Sequence, residues 1–107
     1  MERILQQKFS AILEAISLLK ALPLTYEYAQ EKDGSFSGHV FELNVIENAQ
    51  SLDALISALI AGMREWAEIY SEKLDFWIPG RPQEFPYVLK VLCSTDGELK
   101  TCLHGKN

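Results

Sequence analysis

Two cysteines and two histidines carry the most versatile chemistry in this chain. Cys93, Cys102 and His104 form a C-x8-C-x-H run, and His39 stands alone far upstream. Tetrahedral zinc sites use closer cysteine pairs and paired histidines, and this run matches none of those spacings. A nucleophilic thiol needs a base and a group to orient it. Cys93 instead closes the apolar run Tyr87-Val88-Leu89-Lys90-Val91-Leu92, where burial would disfavour its thiolate, so it is expected to be buried and inert. Glu42, Glu65 and Glu68 could pair as general acid and base, but surface carboxylates of this kind are common. The glycines Gly34, Gly38, Gly62, Gly80, Gly97 and Gly105 are isolated, so no phosphate-cradling loop is spelled out. The residues point to no catalytic centre, no cofactor and no metal.

The informative cluster is aromatic. Trp66, Tyr70, Phe76, Trp77, Phe85 and Tyr87 fall within about twenty residues, with Arg81 among them. Large rings with an arginine are the composition of interface hot spots. Closing one end of a core is the plainer use of the same rings. These seven residues are the candidate partner-binding set.

An α+β arrangement must position them. Residues 3–22 read as an amphipathic helix, because Ile4, Leu5, Phe9, Ile12, Leu13, Ile16, Leu19 and Leu22 recur at three- and four-residue steps until Pro23. That stripe suits core packing, with a dimer or partner seam as the sharper alternative. The period then falls to two: Leu24, Tyr26 and Tyr28 alternate with Thr25, Glu27 and Ala29 as a strand. Asp33-Gly34 signals a hairpin turn into a second strand over Phe36 to Leu43. A short third extended piece at Val45 to Glu47 would precede a loop at Asn48-Ala49-Gln50. Ser51 is the N-cap expected for a long helix over 52–73, with Gly62 marking a close approach of another element. Residues 75–87 hold three prolines and a glycine and read as irregular. The tail 86–104 is compatible with a hairpin about Asp96-Gly97 or with two short helices. Pro86 at a first helical position and Thr95-x-x-Glu98 as a capping box favour the helices.

At 107 residues the chain has room for one domain. Fifteen acidic residues against ten basic ones leave a net charge of −5, without a basic stripe for phosphates, which argues against DNA binding. Two cysteines are too few for a disulfide framework, and reduced thiols suit the cytoplasm. No stretch reaches the ~20 apolar residues that span a bilayer, and no signal-peptide pattern opens the sequence.

The strand-turn-strand from Asp33-Gly34-Ser35-Phe36-Ser37-Gly38 to Glu42-Leu43, and the helix start Ser51-Leu52-Asp53-Ala54-Leu55, resemble the opening of HicB-type folds. Trp66-Ala67-Glu68-Ile69-Tyr70, Gly80-Arg81-Pro82, Phe85-Pro86-Tyr87-Val88-Leu89-Lys90-Val91-Leu92 and Asp96-Gly97-Glu98-Leu99 resemble the C-terminal domain of bacterial RelB- or Phd-like antitoxins. The resemblance spans roughly residues 20–103. It implies a non-catalytic homodimer that occupies the surface of a small basic cytoplasmic toxin, often a ribonuclease, and keeps it inactive. Many such proteins also repress their own operon, a role the acidic balance of this chain argues against. The alternative is a free-standing module of the same fold that binds another protein, or a small ligand in an apolar pocket lined by Tyr26, Tyr28 and Trp66.

Overall fold

Pro23, the Asp33-Gly34 turn and Ser51 divide the chain where the hydrophobic period changes, and the elements form between them. The computed structural model describes residues 2–106, and the side chains of residues 3–103. Helix α1 (Glu2–Lys20) leads into β1 (Leu24–Gln30), β2 (Phe36–Val40) and β3 (Val45–Ala49). Helix α2 (Leu52–Glu72) follows, then α3 (Leu74–Gly80), a 3-10 turn at Pro82–Glu84, α4 (Phe85–Cys93), α5 (Asp96–Cys102) and β4 (Leu103–Lys106). The fold class is α+β, with the sheet order β3-β2-β1-β4. Strands β1 to β3 pair antiparallel, with Tyr26 opposite Val40 and Val40 opposite Val45, whereas β4 runs parallel to β1.

The first turn is built as its residues demand. Gly34 takes φ +89, a conformation closed to most side chains. The Asp33 carboxylate accepts from the Ser35 backbone N–H at 2.9 Å and its hydroxyl at 2.6 Å, which holds the Asp33 carboxyl below its ordinary range.

One face of the sheet supplies Leu24, Tyr26, Val40 and Val45 to the core, and α2 answers with Leu55, Leu59, Ile60, Met63, Ala67 and Tyr70. These recur at three- and four-residue steps, so a single stripe of α2 is buried while its other faces stay wet. Ser51 caps the helix by accepting from the Ala54 N–H at 3.1 Å. A Cβ on Gly62 would come within 2.8 Å of Val45 Cγ1, the close approach its position predicts. Val88, Val91 and Leu99 close the core from α4 and α5. The Arg64 guanidinium ties α2 to them by donating to the carbonyls of Val91 (3.0 Å) and Ser94 (2.7 Å) at the end of α4.

Several expectations need correction. The second strand stops at Val40 rather than Leu43, because residues 41–44 reverse the chain with Asn44 at φ 53, and β3 then runs on to Ala49. Asn tolerates this left-handed region, so the reversal needs no glycine and leaves little trace in the sequence. The segment expected to be irregular holds α3, with Pro79 inside its last turn. The tail is two helices, and Thr95 and Glu98 make both capping-box hydrogen bonds. Strand β4 was not anticipated. Cys93 is exposed, not buried, because α4 directs Val88 and Val91 inward and its last residue falls off that face.

Helix α1 departs furthest from the core-packing expectation. Its last turns rest on α4, where Ile16 and Leu19 are half-buried. The fully buried Lys90 reaches the Lys20 carbonyl there and lies 3.2 Å from Cys102 Sγ, while Lys20 pairs with Glu98 at 3.2 Å. Toward its N-terminus the stripe is open to solvent. The molecule is accordingly elongated, 63 × 29 × 17 Å, with a radius of gyration of 16.3 Å. A close-packed chain of this length would have about 13 Å.

Candidate partner-binding site

Six of the seven candidate residues form one connected cluster where α2 ends and α3 turns back. Helix α2 stops because Lys73 leaves helical geometry (φ −138, ψ 62), which sends α3 across the end of α2. Trp66 meets Trp77 edge-on at 4.8 Å between ring centroids, and Trp77 meets Phe76 at 4.9 Å. Tyr70 stacks between Trp77 at 6.3 Å and Phe85 at 6.2 Å. The Arg81 guanidinium lies 5.2 Å from the Trp66 ring centre and 5.7 Å from that of Trp77, within cation–π range of both. Tyr87, the seventh, stays apart on α4, half-buried against the core.

The cluster is held from beneath by a residue the sequence did not single out. Glu84 is only 5% exposed, accepts from the Trp66 indole N–H at 2.7 Å and pairs with Arg81 at 3.4 Å. A carboxylate two residues past a proline gives no signal of this in a linear reading. The Tyr70 hydroxyl donates to the Arg81 carbonyl at 2.9 Å. Burial, and secondarily the Glu84 carboxylate, push the Tyr70 phenol above its ordinary range. Tyr70 is therefore a pillar inside the cluster and offers nothing to a partner, whereas Phe76 is 64% exposed and Trp77 and Arg81 are partly open.

Beside this rim runs a strip of opposite character. Glu65, Glu68, Ile69 and Glu72 share the solvent side of α2, Glu68 and Ile69 adjacent and one turn from both Glu65 and Glu72, and Leu74, Asp75 and Phe76 are exposed at the start of α3. Ile69 and Leu74 are exposed at 42% and 39%. The strip thus sets four carboxylates beside open apolar side chains, with Lys73 within it and Arg64, Arg81 and Lys100 along its borders. A shallow cleft of about 230 Å³ separates it from the β2–β3 turn, and Ile46, Glu47, Glu65, Trp66, Ile69 and Arg81 line it. The sequence did not single out Ile69 or Leu74, although the spacing of Ile69 places it outside the apolar stripe of α2.

Among the described residues, the other chemistry weighed from the sequence does not assemble. His39 sits on β2 against Asn44 Oδ1 at 2.8 Å, and the Glu42 carboxylate accepts from the Thr25 backbone N–H at 2.7 Å. The side chain of His104 lies outside the described residues. No cluster of three metal-ligating side chains occurs among the described residues. Tyr26 stacks on Tyr28 at 5.7 Å while Trp66 packs on Trp77, so the three do not frame one pocket. No described helix is long and apolar enough to cross a membrane.

A family model described as "Antitoxin of toxin-antitoxin, RelE / RelB, TA system" matches residues 3–104. The chain belongs to this antitoxin family. Its fold is similar to that of a crystal structure from Syntrophomonas wolfei subsp. wolfei, described as the antitoxin part of a proposed toxin/antitoxin system. That likeness has a TM-score of 0.78 at 25% identity and covers 88% of this chain and 70% of the other. No curated protein sequence matches the chain. The antitoxin part of the resemblance thus stands, and the role of the protein is that of an antitoxin.

Proposed function

We propose that this antitoxin works without catalysis, in the cytoplasm, as a homodimer of one-domain chains that covers the working surface of a small basic toxin. The supporting observation is the acidic and aromatic face of α2 and α3. A toxin that handles RNA must carry a basic surface to meet phosphates. Glu65, Glu68, Glu72 and Asp75 offer that surface the opposite charge, which steers the encounter. Ile69, Leu74 and Phe76 supply apolar area, and the Trp66–Trp77–Arg81 platform below keeps the rim rigid, so little side-chain entropy is lost on docking. The sheet and its passage into α2 are read as HicB-like in this proposal. Operator binding is left out of it, since a net charge of −5 opposes contact with phosphates.

The test is affinity capture of the tagged full chain from its own cells, with a Phe76→Ala variant beside it. The expected result is one small basic protein at equal stoichiometry, held at least about 30-fold more weakly by the variant, as for an interface hot spot. Capture that the variant leaves untouched would remove the face from the account. Recovery of no basic protein at all would remove the toxin.

A further inference from the structure

Helix α1 carries a second surface, unlike the first. Leu5, Phe9, Ile12, Ile16 and Leu19 alternate four- and three-residue steps, the spacing of a two-helix seam. The domain uses only the far end: Ile16 and Leu19 are half-buried on α4, while Leu5, Phe9 and Ile12 are 63%, 64% and 57% exposed. Ile4 and Leu13 flank them at 56% and 51%. We infer that the seam from Leu5 to Ile16 is covered by the same helix of a second copy, the two α1 helices lying antiparallel. This deepens the dimeric part of the proposed function and rests on it.

Three observations favour a second copy over the basic toxin. The first is charge: α1 holds Arg3, Lys8 and Lys20 against Glu2 and Glu14, so its stripe lacks the carboxylates that a basic partner would seek. The second is self-complementarity. Reversed on itself, the stripe sets Phe9 of one chain beside Ile12 of the other and Leu5 beside Ile16, so every layer meets an apolar side chain of the second copy. The third is area. The five open side chains, at roughly 100 Å² each, expose on the order of 500 Å², at the upper end of what a monomer leaves uncovered. Added to the helix flanks, this approaches the ~800 Å² per partner of a standard interface. An apolar arm also needs cover in every molecule, and only a second copy is always present at matching concentration.

Sedimentation equilibrium of the full chain tests the seam, with Phe9→Glu and the milder Leu5→Gln as seam variants and Leu18→Glu as the control. Leu18 is 67% exposed but lies on the opposite side of α1 from the stripe. The wild type is expected at twice its 12.1 kDa chain mass, dissociating in the micromolar range. Phe9→Glu should raise the dissociation constant at least about 30-fold, Leu5→Gln less, and Leu18→Glu should change nothing, all with unaltered tryptophan emission from Trp66 and Trp77. A monomeric wild type, or equal effects of Phe9→Glu and Leu18→Glu, would overturn the seam. Capture of the basic protein, scored on the same samples, separates the two proposals. A monomeric Phe9→Glu chain that still captures it supports both surfaces. A wild-type dimer that captures nothing keeps the seam and removes the toxin, and a wild-type monomer that captures it does the reverse.

Discussion

Helices α1 and α2 are alike in length and apolar period, 19 and 21 residues long, each with one apolar stripe. In α2 the stripe disappears into the core, with Leu55, Leu59 and Met63 fully buried, while in α1 the matching residues Leu5, Phe9 and Ile12 stay more than half exposed. Periodicity says that a helix has a face to cover, and the neighbours decide what covers it. Helix α2 follows directly from β3 and lies across the sheet. Helix α1 ends at Lys20, shortly before Pro23, and meets the rest of the fold only at its last turns, where Lys90 and the Lys20–Glu98 pair anchor it.

Truncation should separate the two helices most sharply. Leu59→Ala empties a fully buried site and is expected to cost about 2–5 kcal/mol in chemical denaturation. Phe9→Ala, measured where the chain is monomeric, should stay within about 0.5 kcal/mol; an equal loss would mean α1 belongs to the core after all. Glu84→Gln tests the support of the aromatic rim. It removes the charge that binds the Trp66 indole and Arg81, and should cost about 1.5–3 kcal/mol and shift tryptophan emission. Gly62→Ala sharpens how tightly α2 lies on the sheet. Its Cβ would press on Val45, a stiff side chain on β3, so a loss of about 1 kcal/mol is expected where helix propensity alone predicts a gain.

The smallest effects concern pH. The Tyr70 phenol is raised by burial, so its contribution is present below the ordinary tyrosine value of about 10 and is lost as pH rises through the higher folded value. The Glu98 carboxyl is lowered, first by the Thr95 backbone N–H and then by Lys20. Its contribution is present above the ordinary glutamate range and is lost as pH falls through the lower folded value. Thermal melts of wild type, Tyr70→Phe and Glu98→Gln should therefore part at opposite ends of the pH scale, alkaline for the rim and acid for the anchor of α1.

Much of the fold was legible because local chemistry and tertiary structure agree. Pro23, Asp33-Gly34, Ser51 and the Thr95–Glu98 box each act through their own backbone, and the elements begin or end where those residues stand. What escaped depends on distant partners. Strand β4 is four residues long and exists only because β1 lies beside it, Leu24 facing Leu103. Helix α3 forms in spite of Pro79, which forfeits one helical N–H, because Trp77 is held against Trp66 and Tyr70. The aromatic cluster could be seen coming from composition, since Trp66, Phe76, Trp77 and Arg81 do meet. The roles inside it could not, because Tyr70 turns inward as a pillar and Glu84 enters as its buried counter-charge.

The central claim is that α2 and α3 present the toxin-binding face while α1 serves the second copy. Hydrogen exchange of the full chain, alone and saturated with the basic protein it captures, tests this most directly. The account predicts new protection across residues 65–81 and unchanged exchange across residues 3–15. Protection confined to residues 3–15, with residues 65–81 untouched, would contradict it.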